Sequence, residues 1–293
     1  MKSPGLLALA WRRFWRDKLA VVGTAVLLLL GLMALLATPL ASEVTHFQPE
    51  QIELLGNLKP LGWARTPERP AHWLGTDELG RDVLTRIMFG AQVSLFIAVL
   101  TVALTLTIGT LSGAMAGYFG GVVDMIISAL INVLLSVPLL FLLILISAVF
   151  RPPWWGLAIV LASVSWTGVA RLVRGEFLTI KVRDYIEAAR VIGSSNPRII
   201  FRHILPNATS PMIVAATLQI GGVILTETAL SFLGFGVQPP TPSWGNMLTN
   251  AQQYLFLAPV NIFVPGLFIF VTVLSVNFMG NGLRDALDPR LKQ

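Results

Sequence analysis

Apolar and polar positions fall in long blocks along this chain. Leu19 to Leu40 is a nearly unbroken apolar run without a charge. A helix of about 20 residues crosses the hydrocarbon core of a bilayer, so the run predicts a first membrane span. Comparable runs at Val93–Ala116, Val122–Phe150, Trp154–Val173, Ala208–Phe232 and Asn261–Leu283 predict five more. The expected fold is therefore an all-α membrane protein of about six transmembrane helices. The first run exceeds the core of a cleaved signal peptide, about 7–15 residues, and reads as a retained span. The fourth is the weakest signal, because it carries Ser163, Ser165, Trp166 and Thr167. Pro138 predicts a kink in the third. Gly109, Gly113 and Gly117 form overlapping small-xxx-small steps that let helices approach closely.

Composition agrees with this pattern. Mean hydropathy is +0.74 and only 12% of residues are charged, about half the usual share for soluble domains. With no cysteine, disulfides, thiolate chemistry and cysteine metal sites are excluded. His46, His72 and His203 lack metal-ligand spacing. The net charge of +6 matters through its distribution. Lys2, Arg12, Arg13, Arg16 and Lys18 precede the first span. Arg171, Arg174, Lys181, Arg183, Arg190, Arg198 and Arg202 follow the fourth, and Arg284, Arg290 and Lys292 close the chain. Six spans put all three groups on one face, which is cytoplasmic by the positive-inside rule. The opposite face holds Ala41–Phe89, where acidic residues outnumber basic ones, and the uncharged Gly234–Val260. The positive charge thus reads as topology, not as nucleic-acid binding. The expected organisation is a cytoplasmic segment (1–18), a first span (19–40), an external segment (41–89), a five-helix core (90–283) and a cytoplasmic tail (284–293).

A polar island interrupts the core at Asp184–Gly193 and closes at Leu205-Pro206-Asn207. Asp184 suits an N-cap, with Glu187 as the third residue of a capping box. Tyr185, Ile186, Ala188, Ala189, Val191 and Ile192 supply an apolar surface. Gly193 fits a helix C-cap. Asn196-Pro197 restarts a helix, with Ile199, Ile200 and Ile204 on its apolar side. Two short helices set at an angle are expected. An ordinary interfacial loop explains the capping residues. A docking handle also explains the Ala188-Ala189 pair, the glycine hinge and the exposed carboxylate of Glu187.

Glu187-Ala188-Ala189, Gly193 and Leu205-Pro206 resemble the EAA loop of bacterial ABC importer permeases. Leu74–Val83, Ala116–Gly121, Phe201–Asn207, Ala229–Gly234, Val237–Asn246 and Gly282–Leu291 are similar to segments of the C-type permease in the dipeptide, oligopeptide and nickel branch. His203 departs from the general importer loop while matching this branch. The resemblance implies a type I importer permease fold with the EAA coupling loop at 184–207, in the bacterial inner membrane. It further implies a B-type permease partner in a heterodimer, two cytoplasmic ATPase subunits and an extracytoplasmic substrate-binding protein. ATP closing the ATPase pair would carry the hairpins together and tilt the spans. The cargo stays open among dipeptides, longer peptides, glutathione-like peptides and nickel complexes.

No Gly-x-x-x-x-Gly-Lys-Ser/Thr loop is present, so ATP hydrolysis is expected in the partners; no catalytic residue, metal or cofactor is expected here. Glu227 is the one carboxylate inside an apolar run. It is a candidate for structural pairing or gating, or for solute contact, at the outer end of the fifth span. Asn132, Gln219, Asn261 and Asn277 are candidates for lining the passage, or for helix-to-helix hydrogen bonding. Thr76–Asp82 lacks the alternating ligands of a calcium loop and reads as a cap for an interfacial helix. Trp244 reads as a headgroup anchor or a contact for the delivery protein. An ion-coupled carrier would need more intramembrane ionisable groups than Glu227. An intramembrane enzyme would need a catalytic set that the apolar cores lack.

Overall fold

A computed structural model of the chain describes residues 6–249 and 251–287. Lys2, Arg290, Lys292 and most of the expected tail lie outside them. Eleven α-helices carry the described fold: α1 (Leu6–Phe14), α2 (Lys18–Leu35), α3 (Ala37–Leu40), α4 (Val83–Phe119), α5 (Gly121–Ser136), α6 (Leu139–Phe150), α7 (Leu157–Ile180), α8 (Asp184–Val191), α9 (Asn196–Arg198), α10 (Leu205–Phe232) and α11 (Val260–Leu287). Five are apolar and long enough to cross a membrane: α2, α4, α7, the run Asn196–Phe232 that contains α10, and α11.

The third expected span is not one kinked helix. It breaks into α5 and α6, which meet at 88°. Val137, forced out of the helical region by the following proline, is extended at φ −98° and ψ 133°. The packing of α4 on α7 shows that this pair still crosses. Thr101 Oγ1 bonds the Ala158 carbonyl, Gly109 sits on Trp166 and Val169, Gly113 on Ala170 and Val173, and Gly117 on Arg174 and Phe177. Position numbers rise together on both helices, so α4 and α7 run parallel. Two parallel neighbours require the chain to return across the bilayer between them, and α5–α6 is the only stretch that does so. Six crossings result.

The glycine seam is the reason α4 and α7 lie so close. A Cβ at Gly109 would stand 2.6 Å from Val169 Cβ, and one at Gly117 2.6 Å from Phe177 Cβ. Elsewhere Gly23 opens the α2–α11 contact to the Ser275 backbone, and Gly282 seats Ala20 of α2 and the Phe14 ring of α1. The end of α1 and the end of α11 are therefore on one face.

Two helices are longer than their apolar runs suggest. α4 begins ten residues before Val93, where Asp82 Oδ2 accepts from the Thr85 N–H at 2.7 Å. No separate interfacial helix intervenes: the Thr76–Asp82 loop caps the span itself. The second half of the hairpin is likewise not a free short helix. α9 passes through a π-turn at Ile199–Ile204 straight into α10. Pro206 lacks the N–H that would bond the Arg202 carbonyl, and the wider turn accommodates it.

The 41–82 segment is knotted by buried polar groups. The His72 ring stacks on Phe47 at 4.0 Å and on Trp63 at 5.5 Å, while Nδ1 lies 2.9 Å from Asp82 Oδ1. Asp77 is occupied by the Leu79 and Arg81 N–H groups and by the Arg81 guanidinium at 2.6 Å. Asn261 Nδ2 donates to the Thr76 carbonyl, tying the start of α11 to this knot.

Candidate functional site

The polar island folds as a braced elbow. α8 starts at Asp184, with Arg183 in the capping position and no side-chain cap bond. The expected capping box does not form: Asp184 sits inside the first turn, and the Ile186 and Glu187 N–H groups bond the Arg183 carbonyl. The acidic pair is still placed where the helix dipole favours it. At the other end Gly193 has φ +85°. Its N–H bonds the Arg190 carbonyl at 2.9 Å and the Ser194 N–H bonds the Ala189 carbonyl at 3.0 Å. Both bonds of a Schellman stop are present, which fixes the turn that the glycine promised.

The apolar residues of the island divide by face. Ile186, Ile199 and Ile204 are buried against Ala114, Tyr118, Val173 and Phe177, and Ala189 is buried as well. Glu187 and Ala188 point outward, and Val191 and Ile192 are 88% and 84% exposed. Burying a Val or Ile side chain stabilises by about 1.5–3 kcal/mol, so this pair at the tip is a strong contact for whatever covers it. Among the described residues no cation lies within ion-pair distance of Glu187. Leu205 is half-buried and Pro206 exposed, behind the π-turn.

Three side chains brace the elbow to the end of α4. Lys181 Nζ donates to the Gly117 carbonyl at 2.7 Å. Tyr118 Oη donates to Asn196 Oδ1 at 2.7 Å, so Asn196 holds a neighbouring helix instead of capping its own. The Arg190 guanidinium lies 5.9 Å over the Tyr118 ring. Below them Arg174 binds Asp124 through Nε at 2.5 Å and Nη2 at 2.7 Å, joining α7 to α5. The elbow is thereby tied to α4, α5, α7 and α10. The sequence reading missed these braces, because they join positions dozens of residues apart.

The other candidates are scattered. Glu227 is 1% exposed and accepts from Ser231 Oγ at 2.7 Å, Ser243 Oγ at 2.9 Å and Ser94 Oγ at 3.3 Å. It joins α4, α10 and the segment after α10. Ser231, one turn from Glu227, was findable by spacing; Ser94 and Ser243 were not. Trp244 is fully buried, with its indole N–H on the Ile87 carbonyl at 3.1 Å and its ring 5.8 Å from that of Phe268. That corrects the expectation of a headgroup anchor or a delivery-protein contact. An indole in an uncharged loop looks interfacial in sequence, yet here it plugs the bundle. Gln219 Oε1 is 3.3 Å from Thr105 Oγ1. Asn277 Nδ2 bonds the Val273 carbonyl one turn back. Asn132 is exposed and accepts from Arg171 Nη2 at 3.1 Å. The structure does not gather these four candidates into one cluster.

Comparison with known proteins places this geometry. Residues 109–293 match the family described as binding-protein-dependent transport system inner membrane component. Residues 5–60 match the N-terminal transmembrane domain of oligopeptide transport permease C. The chain is 44% identical over 283 residues to the dipeptide transport system permease protein DppC of Escherichia coli (strain K12), covering 97% of this chain and 93% of that protein. It is 40% identical over 284 residues to the glutathione transport system permease protein GsiD of Pectobacterium atrosepticum, covering 96% and 90%. Among solved structures, an inward-facing form of the MetNI methionine ABC transporter shares the fold. Its TM-score is 0.55 at 20% identity, over 68% of this chain and 94% of that one. The chain belongs to the binding-protein-dependent transport family, as a multi-pass inner-membrane permease of the C type from an ABC importer.

Proposed function

We propose that this subunit carries peptides inward, paired with a B-type permease, powered by two ATPase subunits on its 184–207 elbow and supplied by an extracytoplasmic binding protein. The observation that supports this reading best is the elbow tip. Val191 and Ile192 are bare apolar side chains beside the unpaired carboxylate of Glu187, on a scaffold locked by Gly193 and by the Tyr118–Asn196 and Lys181–Gly117 bonds. A partner groove with an apolar floor and a basic rim fits it. Peptides are the favoured cargo because relatives at 40% and 44% identity are named for glutathione and dipeptide transport.

Motion follows from the bracing. ATP binds the closed ATPase pair better than the open one, and that difference in affinity is the work available. A stiff elbow passes it on as a rigid-body rotation of α4, α5, α7 and α10. Glu187, Ala188, Ala189 and Gly193 form or set the contact surface, and Leu205 and Pro206 set the joint with α10. Glu227, held by three serine hydroxyls, acts as a structural tie between α4 and α10; Gln219 and Asn277 serve helix packing. The termini and the elbow lie in the cytoplasm.

The test is dipeptide uptake by the complete importer carrying Glu187→Arg. Uptake is expected to collapse while the subunit stays in the membrane. Normal uptake with undiminished co-purification of the ATPase subunits refutes the docking role.

A further inference from the structure

The exposed faces of the crossing helices differ in kind. On α2 the exposed positions include Leu28, Leu29 and Leu32, and on α4 they include Phe96, Val99 and Leu111. Such faces suit hydrocarbon. On α7 no large apolar side chain is exposed beyond Ile159. Its open side carries Gly168, Arg171, Gly175 and Thr179, which are three or four residues apart and share a face. A Cβ at Gly168 or Gly175 would meet nothing within 4 Å, so open space lies before this face.

Arg171 is its charge. It stands about 14 Å from the Ile180 end of α7 at 1.5 Å per residue, at the cytoplasmic end of the apolar run Trp154–Val173. Its guanidinium donates to the neutral Asn132 amide oxygen at 3.1 Å, and among the described residues no carboxylate lies within ion-pair distance. Arg174, one turn on, is different: Asp124 neutralises it through two bonds, and Ser128 supports Asp124 at 3.1 Å. A cation without a counter-charge at the inner mouth of a span, on a face lined by glycines, suits water or an anion and not lipid.

We propose that this face of α7 is the wall the subunit lends to the solute passage, and that Arg171 receives a carboxylate of the cargo there. The proposal rests on the peptide reading above. A free peptide ends in a carboxylate, and a guanidinium fork holds one through two parallel bonds. Asn132 aims the fork without neutralising it.

The chain has no cysteine and a Cβ at Gly168 meets nothing within 4 Å, so Gly168→Cys and Thr179→Cys each introduce a unique thiol on this subunit. In the complete importer both are expected to react with a small charged methanethiosulfonate, whereas Leu29→Cys on α2 is not. No reaction at either α7 thiol in any nucleotide state overturns the wall. ATP-driven uptake of dialanine is expected to fall about tenfold or more for Arg171→Gln, the loss of one charge-assisted pair. Arg171→Lys should lie between that variant and the native chain. Wild-type uptake by Arg171→Gln, or Arg171→Lys no better than Arg171→Gln, overturns the carboxylate role. If Arg171→Gln does not assemble, the uptake of Arg171→Lys against the native chain and the thiol reactivities decide. A native importer that takes up no dipeptide refutes the peptide reading and leaves the thiol result standing.

Discussion

Gly113→Ala adds one methyl group to the seam between α4 and α7. The new Cβ would press on the Ala170 carbonyl oxygen and stand 2.9 Å from Val173 Cβ and 3.1 Å from the Ala170 carbonyl carbon. Carbon atoms pack best at about 3.5–4.0 Å. The nearest obstacle is α7 backbone, so no side-chain rotation relieves it and the helices must part by several tenths of an ångström. Overpacking of this kind costs about 1–3 kcal/mol. Replacing a helical glycine by alanine returns about 0.5–1 kcal/mol through backbone entropy. The net runs from about zero to a loss of about 2.5 kcal/mol, and the shortfall against a control that keeps only the entropic gain is about 1–3 kcal/mol. Gly31→Ala is the matched control, since its Cβ meets nothing within 4 Å; it should keep the entropic gain alone. Reversible unfolding in mixed micelles reads both. Gly113→Ala as stable as Gly31→Ala would refute the close-approach argument, and with it the parallel seam on which six crossings depend.

Trp244→Ala should destabilise the bundle by about 3–5 kcal/mol, the usual cost of emptying a large aromatic site, seen as loss of detergent-stable protein; Trp244→Phe should recover most of it. Asp82→Ala removes the cap on Thr85 and the His72 contact, a cost of about 1 kcal/mol or more, and limited proteolysis of the 41–82 segment should quicken. Glu227→Leu strands the Ser94 and Ser243 hydroxyls at about 1–3 kcal/mol each. Glu227→Gln keeps an acceptor oxygen for Ser243 and sets an amide NH2 opposite Ser94, whose hydroxyl can accept from it, and should lose less stability than Glu227→Leu in the same unfolding assay.

Much of this architecture was legible because lipid imposes a simple code. Every crossing needs a long apolar run, and each run named from sequence appears in the structure, the third as a broken pair. Gly109, Gly113 and Gly117 announced a close seam because only glycine leaves room for another backbone. Gly193 announced a helix stop because a positive φ there is costly for other residues. What failed were choices among partners. Asp184 has the chemistry of a cap, but Arg183 takes that position. Asn196 has it too, yet Tyr118 claims its side chain. Trp244 was misread because an indole is equally at home in a headgroup layer and in a core, and only its distance from Ile87 decides. The weak span signal of α7 came from Ser163, Ser165, Trp166 and Thr167, of which Trp166 and Thr167 are buried inside the bundle, where neighbouring helices and not lipid meet them.

The account turns on the elbow tip being the surface that the ATPase subunits grip. Ile192→Cys in the otherwise cysteine-free chain, treated in the complete importer with a short bifunctional thiol reagent, tests this directly. The account predicts a cross-linked band joining this subunit to an ATPase subunit bearing a thiol in its facing groove. It also predicts that an impermeant reagent added outside intact cells leaves the Ile192→Cys thiol unlabelled. Labelling from outside, with no cross-link at any groove position, would contradict it.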